Sequence, residues 1–275
     1  NVDSNKIQIR GKKSKFSLPT EDVMLFPDVP DFESEDYYIV TSDALLKSIR
    51  RTIFAINTAS QNYATGGVWI EFGKQFVAAA TDMKRMAASS GEFEVNGSPS
   101  KNDAIMPPKG LKLLTGILEP TGPPIHVYPM ESGVLFRTGD STVYSRVLDG
   151  KFPEIVKRFA REKTVPNGIE IPLDVRSFLT AISQAAILTS EETRSVSFHL
   201  SQGSMKLVST ASQKGSGEVE LEIDYGREEH SVNYDWRYLQ EPLRILDDGA
   251  VMKLNINPER SEEHTSELQS PMFIS

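Results

Sequence analysis

The chain contains no cysteine. This absence excludes disulfide bonds, thiolate zinc sites and a cysteine nucleophile. It fits a reducing compartment, and we expect a cytoplasmic protein. No apolar run approaches the ~20 residues that a membrane-spanning helix needs, and the N-terminus lacks the basic and then apolar pattern of a signal peptide. An initiating methionine is also missing, so we expect the chain to begin inside a longer protein.

A basic excess is lacking as well. The formal net charge is −8, from 30 basic and 38 acidic residues. Nucleic-acid-binding proteins usually carry a basic excess, so the total charge weakly disfavours that function. With 275 residues, 39% of them hydrophobic and 25% charged, the chain has the composition of a globular protein of about two domains. The positions of the basic residues are therefore more informative than their number.

Recognisable catalytic motifs are missing too: the sequence has no HExxH, P-loop or GxSxG pattern. His126, His199 and His230 are isolated from one another in sequence, and we expect structural roles for them. A metal-dependent nuclease using Asp82 and Asp247 is an alternative that their spacing does not support. We therefore expect a protein that is not an enzyme and that needs no metal or cofactor.

Two stretches share one order of elements, in which a strand is followed by a helix and then by further strands. The patterns beginning at Ile39 and at Ile171 lie about 130 residues apart, and a period of that length indicates a duplicated domain. The predicted fold class is α+β. Predicted helices begin at a cap by Ser42 or Asp43 and near Pro108, Asp174 and Asp235. They end near Ile56, Leu118, Leu188 and Leu246. Pro242 predicts a kink or a late start in the last helix.

The chain divides into four predicted segments: 1–35, 36–163, 164–259 and 260–275. The first combines a hairpin, with strands near 7–9 and 12–18, and a Pro- and Asp-rich linker at 26–32. The last has no periodicity and resembles a translated sequencing adapter, so we expect a non-native tail. A natural disordered tail is the alternative.

Basic residues concentrate on the polar faces of three predicted helices. On each helix the leucines and isoleucines recur at helical spacing, and the basic residues fall opposite them. Solvated faces are the simplest interpretation for any one helix. Three such faces in an acidic chain favour a shared surface that binds nucleic-acid phosphates and makes no base-specific contacts. The residues are Lys47, Arg50, Arg51, Lys109, Lys112, Arg237 and Arg244.

Several motifs match one known family in order and spacing. Ala80–Ala87 (ATDMKRMA) resembles the family's ATDxxRLA segment, and Leu148–Pro153 (LDGKFP) resembles its (L/V)DGxFPD segment. Further matches lie at Ser14–Leu18 with Phe26–Asp28, Ala185–Thr189 and Met205–Leu207. Over residues 6–257 the chain resembles the beta subunit of bacterial DNA polymerase III, the sliding clamp family.

The resemblance implies a DNA clamp fold, with repeated domains that each pack two helices on antiparallel sheets. It implies a homodimeric ring that encircles double-stranded DNA with its helices inside, a non-catalytic processivity factor of the polymerase III holoenzyme. This chain would hold the end of the first domain, all of the second and most of the third. Without the rest of the first domain, we expect that it would not close a ring.

The resemblance also implies a hydrophobic cleft between the second and third domains. The cleft would bind short linear peptides from the polymerase catalytic subunit, which works with a 3′–5′ exonuclease, and from the clamp loader and repair proteins. Its residues here would be Thr81, Lys84, Arg85, Met86, Pro153, Lys157, Arg158, Asn233 and Trp236.

Three departures from the family pattern affect this cleft. Met83 stands where small residues are common, Met86 replaces the usual leucine, and the apolar C-terminal strand that forms one wall is replaced by the adapter-like segment. Ordinary core packing is the alternative for Met86 and Trp236. A peptide-binding adaptor that never encircles DNA is the alternative function.

Overall fold

The computed structural model describes residues 2–3, 6–25, 30–58, 63–162, 169–189, 194–211, 215–247 and 249–256. It divides into two compact units, Asn1–Glu33 and Ser34–Ser275. The larger unit contains separate hydrophobic cores. We call residues 34–162 the first lobe and residues 169–256 the second lobe. The predicted tail and residues 26–29 of the predicted linker lie outside the described residues.

The smaller unit is a three-stranded antiparallel sheet. Its strands are β1 (Val2–Asp3), β2 (Lys6–Arg10) and β3 (Lys15–Pro19). The turn between β2 and β3 is closed by a 2.8 Å hydrogen bond from the Gly11 N–H to the Ser14 carbonyl. The predicted hairpin is therefore confirmed.

The first lobe contains two antiparallel sheets and three helices. Its elements are β4 (Tyr37–Val40), α1 (Ser42–Thr52), β5 (Val68–Glu71), β6 (Gln75–Thr81), β7 (Met86–Glu92), β8 (Glu94–Asn96), β9 (Asp103–Met106), α2 (Pro108–Ile117), β10 (Ile125–Pro129), β11 (Gly133–Thr138), β12 (Ser141–Arg146) and α3 (Glu154–Glu162). The sheet orders are β12-β11-β10-β4-β8 and β7-β6-β5-β9. The prediction missed β7, β8, β9 and α3.

Helix α1 starts and ends differently from the prediction. Thr41, not Ser42 or Asp43, is the N-cap, because its hydroxyl accepts a 3.3 Å hydrogen bond from the Ala44 N–H. The helix ends at Thr52, before the predicted end near Ile56. The Thr52 hydroxyl donates back to the Ser48 carbonyl at 2.7 Å, a bond that competes with regular helix geometry. A short 3₁₀ turn, Ile53–Ala55, follows. In α2 the predicted Pro108 start is confirmed.

The second lobe repeats the strand-then-helix order. Its elements are β13 (Ile169–Asp174), α4 (Val175–Ala186), β14 (Ser195–Ser201), β15 (Ser204–Ala211), β16 (Gly215–Glu222), β17 (His230–Asp235), α5 (Trp236–Leu243) and β18 (Val251–Ile256). β13 pairs with β18, and the other sheet has the order β16-β15-β14-β17. The prediction missed β17.

Both predicted caps in the second lobe are confirmed. The Asp174 carboxylate accepts a 2.8 Å hydrogen bond from the Ser177 N–H, and Asp235 accepts one of 3.1 Å from the Arg237 N–H. Helix α5 ends at Leu243 instead of the predicted Leu246. Pro242 lies in its last turn, where a proline cannot donate a backbone hydrogen bond to continue the helix.

Each lobe packs its helices on antiparallel sheets, so the predicted α+β class is confirmed. In α1, Leu45, Leu46 and Ile49 are buried, and in α4 Phe178 and Ile182 are buried. These side chains follow the 3.6-residue period that predicted the helices. No helix in the described ranges is long and apolar enough to cross a membrane.

Two glycines should respond oppositely to the same substitution. A Cβ on Gly91 would lie 2.4 Å from the Phe76 ring, which is fully buried across the β6–β7 pair, whereas a Cβ on Gly116 in α2 would meet no atom within 4 Å. Gly91→Ala should lower the free energy of unfolding by about 1–3 kcal/mol through overpacking. Gly116→Ala should raise it by about 0.5–1 kcal/mol through helix propensity. Urea unfolding measures both, and equal effects would contradict the assigned packing.

The Asp174 cap should make stability depend on pH. Hydrogen bonds from the Ser177 hydroxyl and N–H lower the pKa of the Asp174 carboxyl. A lowered folded-state pKa stabilises the fold above the ordinary aspartate value of about 3.9, and this contribution is lost as the pH falls through the folded-state pKa. Asparagine caps helices equally well but does not titrate. Asp174→Asn should therefore flatten the fall in unfolding free energy between about pH 5 and pH 2; an unchanged pH profile would contradict this.

Candidate functional site

The turn between β6 and β7, Thr81–Met86, is held by its own side chains. The Asp82 carboxylate accepts hydrogen bonds from the N–H groups of Lys84 (3.0 Å) and Arg85 (2.9 Å). The buried Thr81 hydroxyl donates to the Arg85 carbonyl at 2.7 Å and accepts from the Met83 N–H at 3.0 Å. Met83 adopts φ 70°, a conformation that favours glycine, and its side chain is 60% exposed. The turn therefore has a defined shape, with Met83 and Lys84 at its tip.

Arg85 leaves this turn and reaches the second lobe. Within the first lobe, Nε donates to Asp82 at 3.1 Å and a terminal nitrogen donates to the Phe54 carbonyl at 3.0 Å. The other terminal nitrogen donates to Glu241 of α5 at 2.5 Å. The guanidinium carbon lies 5.3 Å from the Phe54 ring centroid and 4.8 Å from that of Tyr238, within cation–π range. The side chain is only 18% exposed, so Arg85 is part of the joint between the lobes.

A second group of predicted cleft residues surrounds Trp69. Met86 packs against the buried cluster that contains Trp69 and Phe152. The Pro153 carbonyl accepts hydrogen bonds from the N–H groups of Val156 (3.0 Å) and Lys157 (3.2 Å), which begins α3. Met86, Pro153 and Lys157 thus belong to one surface of the first lobe, and Arg158 is exposed on the same helix.

Lys157 is already engaged by its own lobe. Its ammonium lies 5.1 Å from the Trp69 ring centroid and forms ion pairs with Asp103 (3.4 Å) and Glu154 (3.2 Å). The Trp69 indole N–H donates to the same Asp103 carboxylate at 2.8 Å. Lys157 thereby fixes α3 against the sheet.

The two predicted cleft residues of the second lobe, Asn233 and Trp236, have hydrogen-bond partners within their own lobe. Asn233 lies on the exposed side of β17, where its side chain accepts a 2.6 Å hydrogen bond from the Ser197 hydroxyl. The Trp236 indole N–H donates to the Thr189 hydroxyl at 3.2 Å, and its ring packs on the second-lobe core. The second-lobe residues that contact Arg85 are Tyr238 and Glu241, which the sequence reasoning missed. They lie three residues apart on α5 and so share one face, a signal that helical spacing could have supplied.

The basic faces of α1 and α2 are exposed as predicted. Lys47, Arg50 and Arg51 on α1 are exposed opposite its buried leucines and isoleucine. Lys109 and Lys112 are exposed on α2, opposite the fully buried Leu111 and Leu114. The two helices pack against each other. Lys47 forms a 2.8 Å ion pair with Asp43, which offsets part of its charge.

Arg237 on α5 and Arg244, the C-cap residue directly after it, differ from each other. Arg237 donates hydrogen bonds from its guanidinium to Asp235, and this interaction raises the pKa of Arg237. Its positive charge is therefore largely balanced by the N-cap carboxylate of its own helix. Arg244 is exposed.

The described residues bear on the metal-dependent nuclease alternative. They contain no group of three His, Asp or Glu side chains that could hold a metal ion. Asp82, one of the two carboxylates in the nuclease alternative, is occupied by the backbone of its own turn and by Arg85. A groove of about 360 Å³ between α4 and β16 is lined by Arg176, Ser177, Thr180, Ala181, Gln184, Val219, Glu220 and Leu221.

Both lobes match domain profiles of one protein family. The sequence profile of the DNA polymerase III beta subunit central domain matches residues 39–154, and that of its C-terminal domain matches residues 165–260. The Beta sliding clamp of Salmonella typhimurium is 26% identical over 246 residues, which cover 89% of this chain and 66% of that protein. The Beta sliding clamp of Bacillus subtilis is 25% identical, over 90% of this chain and 65% of that protein.

Solved structures agree with the sequence matches. The chain is similar to a DnaN sliding clamp (DNA polymerase III subunit beta) from Pseudomonas aeruginosa bound to griselimycin, with a TM-score of 0.79 and 25% identity over 94% of this chain and 69% of that one. A DNA polymerase III beta subunit from Thermotoga maritima shares the fold, with a TM-score of 0.78 at 20% identity over 95% of this chain and 70% of that one. The chain spans about two thirds of the length of these relatives, 66% for the Salmonella protein. On the two domain matches together, the chain belongs to the DNA polymerase III beta subunit family, the beta sliding clamps.

Proposed function

We propose that this chain is part of a DNA polymerase processivity factor, a non-catalytic sliding-clamp subunit. As part of a homodimeric ring in the cytoplasm, it would encircle double-stranded DNA without reading sequence and tether the replicative polymerase. In this proposal residues 1–35 end a first clamp domain, 36–163 form the second, and 164–259 form the third. The observation that carries the proposal is the pair of exposed basic faces on α1 and α2 of an otherwise acidic chain.

Four cations supply most of the proposed DNA contact. Arg50, Arg51, Lys109 and Lys112 are exposed, and none forms an ion pair with another residue of the described ranges. Their charge is therefore available to phosphates, whose neutralisation releases counterions and does not depend on base sequence. Arg244 would add a contact from the second lobe. Lys47 and Arg237 would contribute less, because each already has a carboxylate partner.

The proposed peptide-binding cleft follows the joint between the lobes. Its first-lobe wall would comprise Thr81, Lys84, Arg85, Met86, Pro153, Lys157 and Arg158. For the second-lobe wall, the contacts of Arg85 favour Tyr238 and Glu241 over Asn233 and Trp236. Apolar surface from Met86, Pro153 and Tyr238 beside a few polar groups is the usual composition of a ligand pocket. Short linear peptides of the polymerase catalytic subunit, the clamp loader and repair proteins would bind there.

Charge reversal on α1 tests the DNA-binding part of the proposal. The double variant Arg50→Glu/Arg51→Glu should bind a fluorescently labelled DNA duplex more weakly at low salt. It should also lower the slope of log K against log salt by about 2, because two phosphate contacts are lost. Fluorescence anisotropy over a salt series measures both, and circular dichroism melting checks the fold.

The matched control is the double variant Lys74→Glu/Arg227→Glu, which reverses two exposed cations that lie outside α1 and α2. It changes the net charge by the same amount as the α1 variant. This control should retain the wild-type salt slope. Equal losses in the two double variants would mean that only net charge matters. Unchanged DNA binding in the α1 variant, with ligand binding retained, would favour the adaptor that does not encircle DNA.

Ligand binding tests the cleft. Griselimycin, to which the Pseudomonas aeruginosa relative is bound in its crystal structure, is a defined probe. We expect it to bind this chain at the proposed cleft, so that Met86→Asp and Tyr238→Ala each weaken binding by about tenfold or more. Isothermal titration calorimetry measures the affinities. Asn233→Ala, on the exposed side of β17, is the control that should change nothing. A larger loss in the Asn233 variant than in the Tyr238 variant would contradict the revised second-lobe wall.

A further inference from the structure

Arg85 connects parts of the chain that are far apart in sequence. Its hydrogen bond to Glu241 spans 156 residues and joins the β6–β7 turn to α5. We call the contacts of Arg85 with Phe54, Asp82, Tyr238 and Glu241 the Arg85 latch. One side chain thus uses three nitrogen atoms and lies within cation–π range of two aromatic rings. Only arginine offers this rigid fork of donors.

Both ends of the latch are fixed within their own lobes. On the first-lobe side, Asp82 holds the Arg85 backbone and side chain together, and Phe54 lies in the 3₁₀ turn that continues α1. On the second-lobe side, Leu239 and Leu243 anchor α5 in the core. Tyr238 and Glu241 therefore cannot move with Arg85 if the first lobe shifts relative to the second. A change in the angle between the lobes must either break the latch or strain one of its anchors.

The latch lies where its interactions are strong. The Arg85 side chain is 18% exposed and that of Glu241 46% exposed, so the pair is partly shielded from water. Charge-assisted hydrogen bonds are stronger than neutral ones, and the aromatic rings limit the approach of solvent. Breaking the pair would leave a mostly buried guanidinium with one acceptor fewer, which is more costly than losing a surface ion pair.

We propose that the Arg85 latch couples the two lobes, so that they hold one relative orientation and unfold as a single cooperative unit. Arg85 acts here as a positioning residue of the fold. The inference does not depend on DNA or peptide binding, and it concerns the free chain.

The two tryptophans of the chain provide a separate reporter for each lobe. Trp69 is buried in the first lobe, and Trp236 packs on the core of the second. In full-length chain labelled with 5-fluorotryptophan, ¹⁹F NMR gives one native resonance for each, assigned by single Trp→Phe variants. During urea unfolding of the wild type, both native resonances should disappear with the same midpoint.

Two variants weaken the latch in different ways. Glu241→Gln removes the acceptor charge at a half-exposed position, where the fold should tolerate the change. Arg85→Lys keeps the charge but loses the fork. In each, the two midpoints should separate by about 0.5 M urea or more, given the usual dependence of stability on urea. Glu71→Gln is the control, because it breaks an Arg–Glu pair within the first lobe, with Arg161. Its two midpoints should stay together, whether or not both shift.

The outcomes decide the proposal directly. Coincident midpoints in the wild type and the control, with separated midpoints in both latch variants, support coupling through Arg85. Separate midpoints in the wild type would show that the lobes are not coupled. Coincident midpoints in both latch variants would show that other contacts couple them. Equal separation in the Glu71 control would assign the effect to general destabilisation. Each of these last three results overturns the inference.

Discussion

The carboxylate of Asp82 is the constraint from which the arrangement of the joint follows. By accepting hydrogen bonds from the N–H groups of Lys84 and Arg85, it closes the turn between β6 and β7. By accepting a third from Arg85 Nε, it aims the guanidinium out of the first lobe. Arg85 then meets α5, and the surface on either side of this contact is the proposed peptide cleft. Met83, at the tip of the same turn, adopts an unfavourable positive φ. The hydrogen bonds of the turn must therefore offset the free-energy cost of this backbone conformation.

The distribution of charge explains how an acidic chain can belong to a family that acts on DNA. Glu218, Glu220 and Glu222 extend along β16, so acidic residues collect on a sheet. The exposed cations of α1 and α2 lie on helices instead. Because exposed charges are screened beyond about 10 Å at moderate salt, a phosphate at the helix faces responds mainly to the cations nearest to it. The net charge of −8 therefore says little about local binding.

Local signals predicted the parts of the fold that local chemistry determines. Pro108 at a first turn and the caps Asp174 and Asp235 marked three helix starts, and helical spacing identified the buried faces. Helix α3 was missed although its apolar residues have helical spacing, with Val156 and Ala160 buried four residues apart. The lysine and arginine that fix it to Trp69 act through tertiary contacts, which the sequence does not show. Strand β7 was missed because Met86–Glu92 has no β-branched residue. These residues form a strand because they pair with β6.

The second-lobe wall of the proposed cleft depends on information that the sequence lacks. Two aromatic residues, Trp236 and Tyr238, lie within one turn, and either could have faced the cleft. The Asp235 cap starts α5 at Trp236, and the burial of Leu239 and Leu243 sets its rotation. Only the packing of the two lobes then brings Tyr238 and Glu241 to Arg85. The family motif predicted Thr81 and Lys84–Met86 together because they lie in one turn between β6 and β7.

The central claim is that the turn organised by Asp82 fixes the joint between the lobes. Because the chain has no cysteine, Lys74→Cys and Arg227→Cys allow one spin label to be placed on each lobe. The distance distribution between the labels, measured by double electron–electron resonance with and without Asp82→Ala, tests the claim most directly. The account predicts one narrow distance in the parent and a broad or shifted distribution in the Asp82 variant. An equally narrow, unshifted distribution in the variant would contradict it.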